Sequence, residues 1–377
     1  MENVVYVLGA GFSAPLGLPV MSNFLEKANN LYQTNKNEYP HFKRVFQSIK
    51  EKLAYVTLFY HTDLDNIEEV LSILEMEHLA GNVSQEQTDE FIKFIVDVIE
   101  YFTSPVEGLK NVNRKSKGVY QSASKITEWE ITRNVISENL QESYGKFVLK
   151  LFNAELEIIG IEGENPDTRK STEKKYNEFV IKCRYHKISP VKYSVVTLNY
   201  DLVLENLAEY YSSIIHEDEI RFSRPQAIMH ENFPYLAKLH GSLDNDTIIP
   251  PTWNKTIQEK IILEWRTAYK LLSSANHIRI LGYSLPENDA YVKYLLKSSL
   301  LESENLKTID VVCMDNNNIV RRRYDSFISR KYPKYRFING DLKMYLGWVS
   351  GNNRSLENGH EDFIREMESK ASASQIG

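Results

Sequence analysis

The sequence predicts an α/β protein: an open, doubly wound parallel sheet with a large helical insertion after its first helix. Three observations predict it. A short apolar run, Val4 to Leu8, opens the chain and ends in Gly9-Ala10-Gly11. From Val191 onward, short β-branched runs alternate with stretches of helical spacing, the pattern of strand–helix–strand crossovers. Between these parts strand signals are sparse and helical periodicity dominates.

The first unit reads as strand, turn and helix. VLGAGFSAPLGLP (Val7 to Pro19) carries the turn, with a helix beginning near Ala14, and Leu16, Val20, Phe24, Ala28 and Leu31 fall near one helical face. Such a glycine turn commonly holds a phosphate, because the backbone approaches closely and a helix N-terminus points at the anion. In DNIEEVLSILEMEHL, Asp65 is the expected cap and Glu68 completes a capping box, with Ile67, Val70, Leu71, Leu74 and Leu79 as the apolar stripe. Asp89 to Phe102 and Asn139 to Ile159 are expected as further helices; Ser104 to Ser124 and Gly160 to Lys175 are expected as polar loops.

The β signals then return. SVVTLNYD (Ser194 to Asp201) precedes a helix, and YLAKLHGSLD (Tyr235 to Asp244) is a short strand meeting a turn. HIRILGYS (His277 to Ser284) leads to a helix from Ala290, for which Asp289 is the expected cap. TIDVVCMDN (Thr308 to Asn316) and YRFINGDLKMYL repeat the scheme. The expected domains are a Rossmann-like α/β unit of residues 1–35 and 190–350, a helical insertion over 36–189, and a C-terminal helix with a frayed tail over 351–377.

Composition narrows the function classes. A net charge of −6 gives no overall sign of nucleic-acid binding. The basic stretch RRRYDSFISRKYPKYRF (Arg321 to Phe337) reads first as a solvated amphipathic helix with its aromatics inward, so nucleic acid is not expected as a direct ligand. The two cysteines, Cys183 and Cys313, exclude a disulfide framework and a four-cysteine zinc site, and the histidines lack ligand spacing, so no metal is expected. The first strand starts beside Met1 and no run reaches membrane length. A cytoplasmic location without membrane association is the expectation.

In an open α/β sheet ligands bind beyond the carboxyl ends of the strands. Each inferred strand here ends in polar or glycine residues: Gly9 to Ser13, Asn199 with Asp201, His240 to Ser242, Gly282 to Ser284, Asp315 with Asn316, and Gly340 with Asp341. Gly9-x-Gly11-x-x-Ala14 fits a dinucleotide fingerprint, yet no second strand ending in an acid follows at the required distance, which disfavours hydride transfer. No Gly-Lys-Ser/Thr follows the turn, so it is not a Walker loop.

Together these segments resemble the sirtuin (SIR2) superfamily. GAGFS (Gly9 to Ser13) resembles its cofactor turn, Gly17-Leu18-Pro19 its Gly-Ile-Pro, and TLNYD (Thr197 to Asp201) its Thr-Gln-Asn-Ile-Asp. LHGS (Leu239 to Ser242) resembles the segment with the catalytic histidine, and GYSL (Gly282 to Leu285) its Gly-Thr-Ser-Leu. The zinc cysteines of deacylating sirtuins are missing, and Val20-Met21-Ser22 stands where they carry Asp-Phe-Arg. In these features the chain resembles the bacterial SIR2-like NAD hydrolases of antiviral defence systems, some of which work as oligomers or beside a HerA-type ATPase.

That resemblance implies NAD+ as ligand and substrate, with Gly9, Ala10, Gly11, Phe12, Ser13, Asn199, Gly282, Ser284, Asp315 and Asp341 around it. It implies an NAD+ glycohydrolase releasing nicotinamide and ADP-ribose, regulated by assembly as a homo-oligomer or by a partner such as a HerA-type ATPase. Asn199 would fix the ribose hydroxyls or the attacking water, His240 would be the general base, and Asp201 would orient one of them, unless it caps the helix that follows. Trp253 in PPTWNK is placed either against the pocket or in the core. The alternatives are a subunit that binds NAD+ or ADP-ribose without turnover, and an NAD-dependent protein deacylase.

Overall fold

The computed structural model describes residues 1–56, 66–103, 115–117, 127–131, 138–160, 179–185, 191–215, 220–225, 233–245, 247–248, 259–287, 289–351 and 354–374. Six strands form one sheet: β1 (Glu2–Leu8), β2 (Val191–Thr197), β3 (Tyr235–Lys238), β4 (His277–Leu281), β5 (Thr308–Cys313) and β6 (Tyr335–Asn339). Their spatial order is β3-β2-β1-β4-β5-β6 and every pairing is parallel. The chain winds outward from β1 through β2 to β3, then returns and winds the other way. This is the doubly wound Rossmann-like topology, with its switch point between β1 and β4.

The strands are short apolar runs because both faces of the sheet are covered. Val4, Tyr6 and Leu8 enter one core with Tyr144, Phe147, Leu342, Tyr345 and Phe363. Val5 and Val7 alternate to the other face, against Ala268, Leu272, Val292, Leu296 and Tyr324. The helices are α1 (Phe24–Thr34), α2 (Phe42–Val56), α3 (Ile67–Leu79), α4 (Gln85–Thr103), α5 (Glu138–Leu151), α6 (Val203–Ile215), α7 (Glu259–Ser273), α8 (Ala290–Glu302), α9 (Ile319–Asp325), α10 (Leu342–Val349) and α11 (Leu356–Ser374). Helices α5, α6, α10 and α11 cover the first face; α7, α8 and α9 cover the second.

Helices α1 to α4 build a third core from Phe24, Ala28, Phe42, Val70, Phe91 and Phe94. The region after the first helix is not wholly helical, however. Lys115–Lys117, Thr127–Ile131, Phe179–Tyr185 and Ala154–Gly160 form a four-stranded antiparallel sheet, in that order. The helix expected across Asn139 to Ile159 stops at Leu151, because Asn153 takes a left-handed conformation (φ 55°) and the following AELEIIG pairs as a strand. The expected loop over Ser104 to Ser124 contains the strand Lys115–Lys117, and its remainder lies outside the described residues; so do residues 161–175 of the second expected loop. Helix α5, placed in the insertion from sequence, packs its Tyr144, Phe147 and Val148 on the main sheet instead.

Other local expectations shift for identifiable reasons. The helix expected from Ala14 is broken into one α-turn (Ala10–Ser13) and two 3-10 turns (Ala14–Leu16, Met21–Asn23) before α1 starts. Pro15, Pro19 and the left-handed Gly17 (φ 95°) interrupt it. Asp65 lies outside the described residues, and Asn66 receives the Glu69 amide at 3.4 Å. The basic stretch is a short helix, a turn and the start of β6 rather than one helix: Tyr324 is buried, and Asp325 pairs with Arg330 at 2.5 Å. The C-terminal tail is helical through Ser374.

A charged row runs across the sheet. Tyr6, Arg279, Asp310 and Arg336 are register partners on β1, β4, β5 and β6. They face α11. Arg279 reaches the Tyr6 hydroxyl at 2.7 Å and Glu357 at 3.4 Å, and Arg336 binds Asp310 at 2.6 Å and Glu361 at 2.8 Å. His360 Nε2–H donates to Asp310 at 3.0 Å while the Tyr345 hydroxyl donates to its Nδ1 at 3.1 Å, the pattern of a neutral ring. Burial, with the Arg279 charge, lowers the His360 pKa to about 4. Burial alone would raise the Asp310 carboxyl, but the hydrogen bonds from His360 and Arg336 outweigh it and hold it well below the usual range. No helix among the described residues is long and apolar enough to cross a membrane.

Candidate functional site

The candidate residues follow the strands by one or two positions, so all lie along the carboxyl rim of the sheet: Gly9 after β1, Asn199 after β2, His240 after β3, Gly282 after β4, Asp315 after β5 and Asp341 after β6. The switch point is closed by two glycine turns packed on each other. The Gly9 amide donates to Leu281 O at 3.0 Å and the Gly11 amide to Gly282 O at 2.9 Å. A Cβ on Gly9 would sit 2.6 Å from Tyr283 Cα, and one on Gly11 would sit 2.8 Å from Gly282 O. The neighbouring backbone therefore demands glycine at both positions. Ala10 is exposed at the head of the helical turn, whereas Phe12 is buried against Tyr144 and Phe147, so its side chain serves the core.

Asn199 joins the turn to β2. Its backbone amide binds Thr197 Oγ1 at 3.1 Å, and its side-chain Nδ2 donates to Gly9 O and to Ser13 Oγ, each at 3.1 Å. Gly9 O is a pure acceptor, which fixes the amide's orientation and leaves Oδ1 as the atom able to accept from a ligand. The Ser13 hydroxyl in turn favours the ionised form of the Asp201 carboxyl. Asp201 also accepts the Val203 amide at 3.1 Å, so it does cap α6, the alternative weighed from sequence. Burial raises the Asp201 carboxyl above its ordinary value, opposed by the Lys238 ammonium, the Ser13 hydroxyl and the Val203 amide.

Beneath this loop lies a lysine that sequence reasoning passed over. Lys238, 1% exposed, sends Nζ to Tyr200 O at 3.3 Å, Asp201 O at 2.5 Å and Glu205 Oε1 at 2.9 Å. A buried ammonium needs several acceptors. Here those acceptors are the loop that carries Asn199. The only sequence signal was a lysine inside an apolar strand, two residues before His240.

His240 is buried, its ring 5.9 Å from that of Tyr200. Its Nε2 lies 3.9 Å from Asp289 Oδ2. Asp289 makes no side-chain cap to α8, contrary to the expectation for it; the Tyr283 hydroxyl donates to its Oδ2 at 2.6 Å. Gly241 turns with φ 84°, and among the described residues Ser242 Oγ is buried without a hydrogen-bond partner.

The remaining candidates hold the rim together. Ser284 is half-buried, and its carbonyl accepts from Arg323 at 3.2 Å. Asp315 receives the Val320 and Arg321 amides at 3.2 and 2.9 Å, capping α9, and Asp341 caps α10 through the Lys343 amide at 2.9 Å. Trp253 lies outside the described residues. A cluster with metal-ligand chemistry does occur away from the rim: donor atoms of Asp310, His360 and Glu361 lie within 4.8 Å of one another. Arg336 already binds both carboxylates.

Three of the strands that bear this rim, with most of β2, lie in one recognisable segment. Residues 193–336 match the family model of the SIR2-like domain. The matched segment runs from β2 into β6 and includes Asn199, Asp201, His240, Gly282, Ser284, Asp289 and Asp315; the glycine turn after β1 and Asp341 lie outside it. No curated protein matches the chain in sequence. Among solved structures, a Sir2 in complex with the inhibitor EX-527, 2′-O-acetyl-ADP-ribose and a deacetylated p53 peptide is 12% identical, with 92% of each chain covered and a TM-score of 0.34. A Sir2 with a p53 peptide and NAD+ is 12% identical, with 92% of this chain and 91% of that one covered and a TM-score of 0.34. A further Sir2 enzyme is 11% identical, with 93% and 91% covered and a TM-score of 0.37.

Proposed function

We propose that the protein is an NAD+ glycohydrolase that releases nicotinamide and ADP-ribose. The observation that carries the reading is the placement of Asn199, Ser13 and His240 along one rim at the switch point, largely within a SIR2-like segment. Doubly wound sheets bind dinucleotides at that place. The single turn Ala10–Ser13 and the rim after β4 would hold the phosphates and the adenosine side, with Ala10, Ser284, Asp315 and Asp341 as the nearest candidates.

Cleaving the nicotinamide–ribose bond builds positive charge on the sugar, as in glycoside hydrolysis. Asn199 Oδ1 would accept from a ribose hydroxyl or the attacking water, while its two N–H groups stay committed to Gly9 and Ser13. Asp201, buried behind Ser13, would hold that hydroxyl and stabilise the developing charge. His240 would take the proton of water, a role worth about 10²–10⁴-fold. Ser242 Oγ, buried and unpartnered, fits as a further polar contact to the ligand.

The same reading makes the protein a cytoplasmic NAD+-depleting effector of antiviral defence, held in check by assembly or by a partner such as a HerA-type ATPase. The core of α1–α4 extends to Tyr200 and Leu243, beside Asn199 and His240, and this supports the insertion as the controlling surface. The test is nicotinamide release by purified protein over a range of concentrations, beside His240→Ala and Asn199→Ala. Release by wild type alone is expected. Full activity in either variant refutes its assignment, and NAD+ binding without release at any concentration favours the regulatory subunit.

A further inference from the structure

His240 and Asp289 come from opposite sides of the rim. His240 leaves β3, and Asp289 follows the turn after β4. Strands β2 and β1 lie between them, so the strand ends are separated by about 14 Å, three strand spacings. Yet the two side chains stand 3.9 Å apart, which makes them a bridge over the ends of the strands that carry Asn199 and Gly9. The loop between Gly282 and Asp289 is shaped to deliver this carboxylate. Gly282 turns with φ 65°, and Leu285, a buried side chain, is held left-handed at φ 47°. Such strain persists only where the surroundings impose it.

Asp289 occupies the N-cap position of α8 but leaves that helix uncapped. Its carboxylate is buried, and the oxygen that faces His240 is the one Tyr283 holds at 2.6 Å. We propose that Asp289, fixed by Tyr283, is the positioning residue for His240: its carboxylate faces Nε2 and favours the protonated ring. The inference rests on the glycohydrolase reading of this site. At 3.9 Å the contact is no hydrogen bond; it strengthens when the ring gains a proton and becomes a cation.

The step balances. Water loses a proton to the His240 imidazole as its oxygen bonds the anomeric carbon. The carbon–nitrogen bond breaks with its electron pair going to the pyridine nitrogen, so nicotinamide leaves neutral. Asp289 stays ionised, and the imidazolium later returns its extra proton to solvent. Among the described residues, further titratable groups around this arrangement are Tyr200, whose ring lies across from that of His240, Tyr283, behind Asp289, and Tyr324, whose hydroxyl donates to Tyr283 O at 2.9 Å.

The test uses the full chain with Asp289→Asn, which keeps the shape, and Tyr283→Phe, which removes only the hydroxyl. The first readout needs no turnover: NMR titration of the labelled histidine rings, with His240 assigned by its loss in His240→Gln. The His240 midpoint is expected to move to lower pH by about 1 pH unit or more in Asp289→Asn, and by less in Tyr283→Phe. The second readout is nicotinamide release against pH. Here kcat should fall by about 10²-fold or more in Asp289→Asn with KM within about threefold, and the acidic limb of the profile should move with the ring titration. A wild type that releases no nicotinamide refutes the glycohydrolase reading, while the ring titration still decides the pairing. An unchanged midpoint in folded Asp289→Asn, or an unchanged kcat and pH profile, overturns the proposal.

Discussion

Gly282→Ala tests whether the two glycine turns interlock. Two separate penalties apply at Gly282. Its φ is 65°, where an L-residue costs about 1–2 kcal/mol. Its Cβ would also stand 2.4 Å from the Phe12 amide nitrogen and 2.5 Å from Gly11 carbon, which are backbone atoms that cannot swing aside. Overpacking of that kind costs about 1–3 kcal/mol more. Gly17 supplies the control: it is equally left-handed at φ 95°, but a Cβ there meets nothing within 4 Å. Gly17→Ala should therefore cost about 1–2 kcal/mol, and Gly282→Ala about 2–5 kcal/mol. Urea unfolding of the two variants measures the difference. Gly282→Ala should also weaken NAD+ binding, because the turn it displaces bears Ser13 and Gly9, both partners of Asn199. Equal costs for the two variants would refute the interlock.

Three further outcomes follow from buried charge. Asp310→Asn leaves His360 without its carboxylate and Arg336 with Glu361 alone, and should cost about 3–5 kcal/mol in urea unfolding. The lowered His360 pKa, about 4 against 6.5, means the unfolded chain binds a proton that the folded chain refuses between those values. Stability from this group is thus complete above about pH 6.5 and is lost as pH falls toward 4, by about 3 kcal/mol in all; His360→Gln should flatten that limb of a stability–pH curve. Lys150 Nζ caps the end of α10 through Val349 O at 2.9 Å and reaches Gly351 O and Arg354 O at 2.6 Å each, so Lys150→Met should cost about 1–3 kcal/mol and loosen α11, measured by hydrogen exchange.

Much of the fold was legible because its strands obey a local rule. A strand buried on both faces tends to a short apolar run, and Val4 to Leu8 and Ser194 to Thr197 are close to that, as is Ile278 to Leu281 apart from Arg279. Their polar ends were legible for the same reason: the apolar run stops where the rim begins. The antiparallel strands were harder. TEWEI and AELEIIG carry charges at alternate positions, and the second follows a helix without any proline or glycine to mark the change. Only Asn153 marks it, and an asparagine in a helical pattern is weak punctuation.

What stayed hidden was set by distance in sequence. Tyr6, Arg279, Asp310 and Arg336 look like four unrelated polar intrusions until register aligns them into the row that binds α11. Asp289 was read by the local rule for the residue before a helix; its hydrogen bond to Tyr283 and its approach to His240 depend on β3 and β4 being brought to one crevice. The same holds for Gly9 and Gly11. A glycine pair after a strand reads as a phosphate turn, but here the closest neighbour is the turn after β4. The two readings are linked rather than opposed: the interlocked turns fix the backbone of Gly9, Asn199 donates to that backbone, and any ligand at the switch point meets an asparagine already oriented. Preorganisation of this kind stabilises a transition state without reorganisation at the moment of reaction. It follows that damage at Gly282, which need not touch the substrate, should lower turnover through Asn199.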